Sequence, residues 1–78
     1  MRNWLRKERQ KLGLTQNGMA KKMSMNLQHY HHIEIGDRQL DLNLSVAARL
    51  ASVLGLTLDQ VWGNEKRFLK NQAKVSGK

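Results

Sequence analysis

Helix-stop and helix-start residues recur so closely along this chain that it can fold only as a string of short helices. Gly13, Gly36 and Gly55 each end a run whose apolar residues recur at three- and four-residue spacings, and glycine accepts the left-handed backbone with which helices commonly terminate. Thr15, Asn26, Asn43 and Thr57 stand just ahead of the next runs, where a side-chain oxygen can take an otherwise unpaired N–H of the first turn. Proline is absent and strand-like alternation is weak. The pattern predicts helices over about Arg2 to Leu12, Gln16 to Met23, Leu27 to Ile35 and Leu44 to Leu54, and a short fifth containing Leu58, Val61 and Trp62. Gly63 with Asn64 marks its expected end.

Packing between these helices must supply the stability, because a chain of 78 residues without cysteine has neither a disulfide nor a thiolate zinc site to supplement its core. The inward candidates are Leu5 and Leu12, then Leu14, Met19, Ala20, Met23, Met25, Tyr30 and Ile33. The fourth helix is apolar on two sides, through Leu44, Ala47, Ala48, Ala51 and Leu54 and through Val46, Leu50 and Val53, so it belongs in the middle. Trp4 and Trp62 read as core-edge residues. The fold class is therefore all-α, a compact five-helix domain over residues 1–64. Residues 65–78 form a basic extension, with Lys66, Arg67, Lys70, Lys74 and Lys78 around Phe68 and Leu69. A disordered arm, a helical continuation and a dimerisation element all fit it.

Charge narrows the partners. Fourteen Lys and Arg against six Asp and Glu give a net charge of +8, which favours polyanions, either nucleic acid or an acidic membrane surface. The capped, interrupted helices favour a globular fold over a membrane-surface peptide. No apolar run approaches the roughly 20 residues that span a bilayer, and no signal segment follows the basic N-terminus, so a cytoplasmic location is expected. Catalysis is not expected: the few carboxylates are dispersed, no nucleophile sits beside a base and an orienting group, and no glycine loop could cradle a phosphate. No cofactor is expected. His29 and His32 share a helical face, but without cysteine they fall short of the four ligands of a closed zinc site.

The segment from Gln16 to Ile33 has the spacing that a helix-turn-helix requires. Ala20 is small where the third helix must cross close above the second. With Met19, Met23, Met25, Tyr30 and Ile33 turned inward, Leu27, Gln28, His29, His31 and His32 are left outward. A helix of about 12 Å diameter fits the major groove of B-DNA, where first-turn side chains reach base edges. Gln28 is the outstanding reader, since an amide donates and accepts at once and suits adenine N6 and N7, and Leu27 can meet a thymine methyl. His29 and His32 can meet a base or a phosphate. Lys21 and Lys22 face outward near the expected DNA backbone, where a merely solvated face explains them about equally well.

These residues also resemble a family. Leu-Gly-Leu-Thr-Gln at 12–16, Met-Ala-Lys-Lys-Met at 19–23 and Ile-Glu-Ile-Gly at 33–36 are similar to the lambdoid phage repressor and Cro-like (XRE-type) helix-turn-helix proteins, over roughly Leu5 to Val61. The resemblance implies a lambda-repressor-like DNA-binding domain that binds an operator in double-stranded DNA and regulates transcription, and because one short module offers too few base contacts for useful specificity a homodimer is expected. It implies a phosphate contact for Gln16 and base contacts for Leu27, Gln28 and, one turn later, His32, with the cap Asn26 beside them among the DNA-binding residues. It implies a structural ion pair between Arg9 and Glu34, and a backbone contact for Arg38 in the loop after Gly36. The chain departs from the pattern at Ser24, where the turn usually has glycine, and at Tyr30, which is larger than the usual β-branched residue and needs a partner for its hydroxyl. The expected function is a sequence-specific regulator, a repressor by preference. The alternative is an antitoxin or adaptor whose main partner is another protein, a toxin or other regulator, and whose helix-turn-helix controls its own operon.

Overall fold

The computed structural model describes residues 1–36 and 42–76, with side chains placed as far as Lys70. Five helices follow in order: α1 (Asn3–Lys11), α2 (Gln16–Lys22), α3 (Leu27–Ile35), α4 (Leu44–Leu54) and α5 (Leu58–Ser76). The starts of α2 to α5 are set by side chains, whereas α1 opens at Arg2 without a side-chain cap. Thr15 Oγ1 accepts from the Gly18 N–H at 3.0 Å, Asn26 Oδ1 from His29 at 2.7 Å and Asn43 Oδ1 from Val46 at 2.8 Å. At α5, Thr57 and Gln60 cap each other reciprocally, the Gln60 N–H donating to Thr57 Oγ1 and the Thr57 N–H to Gln60 Oε1. Arg38 lies within 37–41, outside the described residues.

The core gathers Leu5 from α1, Met19 and Ala20 from α2, Met23 just beyond it, Tyr30 and Ile33 from α3, and Val46, Leu50 and Leu54 from α4. Three expectations about the core do not hold. Leu12 is half exposed rather than inward, because α1 ends at Lys11 and the Gly13 turn carries Leu14 to the core in its place. The fourth helix is not central: Leu44 is 74% exposed and Ala48 is exposed, and only the Val46, Leu50, Ala51 and Leu54 stripe is buried. Trp62 is likewise exposed, with the Lys66 ammonium 5.9 Å from its ring.

The last correction is at the C-terminal end. Gly63 and Asn64 do not stop α5, which continues to Ser76. A mid-helix glycine costs about 1 kcal/mol relative to alanine, and the residues that follow it outweigh that local preference. Glu65 and Phe68 are buried, and their partner is Arg2, which is wholly buried itself. Arg2 Nε and Nη2 donate to Glu65 Oε1 and Oε2 at 2.9 and 2.8 Å, Nη1 donates to the Ile33 carbonyl, and the guanidinium lies 4.6 Å from the centre of the Phe68 ring. The Arg2 backbone N–H bonds Glu34 O at 2.8 Å, and Trp4 Nε1 adds a 3.3 Å bond to Glu65. The entrance to α1, the end of α3 and the middle of α5 are thus one buried polar junction. Gly36 completes it: a Cβ there would lie 2.9 Å from Phe68 Cζ, on a backbone with φ of +74°.

Removing one side of a buried ion pair leaves an uncompensated charge, at a cost of about 3–5 kcal/mol. Glu65→Ala is therefore expected to lower the urea midpoint by that much stability, whereas Leu44→Ala, on the exposed side of α4, changes it by less than about 0.5 kcal/mol. Equal midpoints for the two variants would remove the junction as an anchor of the fold.

Candidate nucleic-acid interface

The α2–α3 unit begins with how its turn closes. Ser24 has φ of +57°, the left-handed conformation that L-residues adopt at a cost of about 1–2 kcal/mol. Bonds from the Met25 N–H to Ala20 O at 3.0 Å and from the Ser24 N–H to Lys21 O at 3.1 Å hold it there, closing α2 in the manner that glycine usually permits. Arg49, from α4, donates to the Met23 carbonyl at 3.2 Å and takes up another open acceptor of that helix end. The sequence carries the Ser24 anomaly but no local sign of Arg49, which lies 26 residues from its acceptor.

Glu34 fixes the inner face of α3. Its carboxylate has no solvent exposure and accepts from Arg9 Nε at 2.9 Å, Arg9 Nη2 at 3.2 Å, Gln16 Nε2 at 2.9 Å and the Tyr30 hydroxyl at 2.7 Å. Arg9 Nη1 also donates to the Leu14 carbonyl at 2.8 Å, so one guanidinium joins α1, the turn before α2 and α3. Burial pushes the Glu34 carboxyl up, but the donors Arg9, Gln16 and Tyr30 together outweigh it and hold the group below its ordinary range. The Glu34 bond raises Arg9 above its usual value, and burial followed by the adjacent carboxylate raises Tyr30, which stays protonated as a donor. The hydroxyl for which the sequence required a partner has Glu34.

With Tyr30, Ile33 and Glu34 buried, the opposite side of α3 is open. Leu27 is 45% exposed, Gln28 and His29 are exposed, and His31 and His32 are half-buried. Asn26 is exposed, with its side-chain oxygen occupied by the cap to His29. On α2, Lys21 and Lys22 are exposed and Gln16 is half-buried. Gln16 meets α3 twice, since its Oε1 lies 3.1 Å from His31 Nδ1 while its Nε2 bonds Glu34. The start of α2 and the outer face of α3 therefore form one surface, carrying amide, imidazole and ammonium groups with one exposed leucine. Among the described residues, no group of three or more His, Cys, Asp or Glu is arranged to hold a metal ion, and no single helix is long and apolar enough to cross a membrane.

The model of one protein family, described as helix-turn-helix, matches residues 5–61 of the chain. No match was found among curated proteins or among solved structures.

A carboxylate held below its ordinary range contributes stability that is fully present above its unfolded value, about pH 4.3, and is lost as pH falls through the lower folded value. Glu34→Gln is therefore expected to cost about 3–5 kcal/mol at pH 7, with the gap from the parent narrowing as pH drops below about 4. Urea melts at pH 7, 5, 4 and 3 test this, and a gap constant across the series would refute it.

Proposed function

The chain belongs to the XRE/lambda repressor-type helix-turn-helix family, and on that premise we propose that it is a repressor that binds an operator in duplex DNA as a homodimer and reads the major groove with α3. The observation that carries the reading is the two-sidedness of α3. Its inner face is pinned by Tyr30, Ile33 and Glu34, and its first turn projects Leu27, Gln28 and His29 outward. A rigid helix with an exposed amide at its entrance is what direct readout needs, because a bidentate contact to adenine discriminates only if the side chain's base is held still.

Roles follow from position. Gln28 pairs with adenine N6 and N7, Leu27 packs on a thymine methyl, and His29 and His32 meet the walls of the groove. Gln16 spends one amide hydrogen on Glu34 and keeps the second for a phosphate. Lys21 and Lys22 are charge contacts to the backbone, which set register and strengthen binding to any sequence. The role is one of binding rather than catalysis, and a cytoplasmic location goes with it.

A second copy is the partner favoured for a groove of about 540 Å³ between α4 and α5, walled by Leu42, Leu44, Ala47, Leu58, Trp62 and Leu69. Phe68, which the sequence offered as a dimer contact, is excluded because it is buried against Arg2. Two modules would read half-sites about 10 base pairs apart on one face of the duplex. The antitoxin or adaptor alternative would place a different protein in the same groove, and recovery of a stable heteromer in place of a homodimer from the native host would select it.

Duplexes selected from a random pool are expected to carry a two-fold symmetric site. On that site Gln28→Ala costs about 1–3 kcal/mol and relaxes preference at one base pair per half-site. Lys21→Ala instead weakens all duplexes alike and lowers the salt dependence by about one unit of slope. Identical effects of the two substitutions on every duplex would refute the assigned geometry.

A further inference from the structure

Gln16 is the middle member of a hydrogen-bond chain whose direction can be worked out atom by atom. One end of its amide lies 2.9 Å from Glu34 Oε1 and the other 3.1 Å from His31 Nδ1. An ionised carboxylate only accepts, so the amide end facing Glu34 must be the NH₂ group. The carbonyl end then faces the imidazole, and a carbonyl also only accepts. The shared proton must therefore sit on His31 Nδ1. In a neutral ring that leaves Nε2 as a bare lone pair, since the hydrogen bond made by one ring nitrogen sets the tautomer seen at the other.

The position of His31 gives this tautomer a consequence. His31 lies four residues beyond Leu27 and three beyond Gln28, so it continues the helical ridge that those exposed side chains begin. Its ring is half-buried, and among the described residues no hydrogen bond is made at Nε2. Resting on the duplex-binding reading above, we propose that Glu34, acting through Gln16 as a positioning residue, fixes the proton of His31 on Nδ1 so that the Nε2 lone pair selects a base bearing an amino donor. In the major groove those donors are adenine N6 and cytosine N4, whereas guanine and thymine present acceptors there. His31 is thus a specificity-determining residue, and the buried carboxylate that stabilises the fold also sets what the recognition surface accepts.

Two measurements test this at pH 8, well above the ordinary imidazole range. The first is the two-bond ¹H–¹⁵N spectrum of the free parent, which requires no variant and no DNA. It is expected to have the proton of His31 on Nδ1, and Gln16→Ala is expected to move it toward Nε2. The second is a base-substitution series on the selected operator. One position should favour adenine or cytosine over guanine or thymine on the contacted strand by about tenfold. That preference should vanish in Gln16→Ala and in His31→Ala, and the double variant should show no further change in it. A loss of affinity in Gln16→Ala that is uniform across duplexes, with the preference intact, would reduce Gln16 to a phosphate contact and overturn the proposal. An Nε2–H ring in the parent would overturn it as well. A parent that binds no duplex, or all duplexes equally, would end the duplex-binding reading and the recognition half of this inference with it, while the spectrum would still decide the tautomer.

Discussion

A carboxylate without solvent contact sits at the centre of this molecule, and much of the arrangement around it follows from the need to satisfy its charge. Glu34 takes hydrogen bonds from α1, from the start of α2 and from its own helix. Each donor fixes an element: Arg9 brings α1 and the Leu14 turn against α3, Gln16 registers the first turn of α2, and Tyr30 is locked in the core by its own hydroxyl. An isolated buried charge would be far too costly in so small a domain. Here the donors are numerous enough for the carboxyl to stay ionised. The gain is geometric as much as energetic, because a charge with several partners tolerates only one relative placement of the helices that supply them.

The second buried pair grips the same C-terminal end of α3 from another side. Arg2 joins Glu65 and Phe68 and also donates to the Ile33 carbonyl, while its backbone N–H bonds Glu34 O. The C-terminal turn of α3 is therefore held from below by α1 and α5, and its N-terminal turn is left to project. A helix gripped at its far end and along one face, with its entrance free, suits a groove reader. Arg2, Glu65 and Phe68, which grip its far end, are buried away from the recognition surface. The two polar junctions share α3, so disturbance of either reaches the surface that Gln28 and His31 present.

Much of the architecture was legible in local chemistry. The caps at Thr15, Asn26, Asn43 and Thr57 and the stops at Gly13, Gly36 and Gly55 act over one turn, within a few residues, so the order of the helices could be read without knowing what packs on what. The helix-turn-helix spacing was legible for the same reason, since Ala20 and the inward apolar set are constrained by the approach of two adjacent helices. The pairing of Arg9 with Glu34 came from the family pattern rather than from spacing, as nothing local relates residues 25 apart.

By itself, then, the sequence determined the α-helical class, the starts of α2 to α5 and the outward set around Gln28, because capping, periodicity and charge are properties of neighbouring residues. Tertiary structure decided where α5 ends, which side of α4 is buried, and what Gln16 and His31 do to each other. Gly63 and Asn64 form a sound local stop signal, yet the helix passes through them because Glu65 has a partner 63 residues away in Arg2, against which Phe68 also packs. The proton on His31 was equally beyond the sequence. It follows from which end of an amide faces a carboxylate, and that is settled only when three side chains from two helices meet.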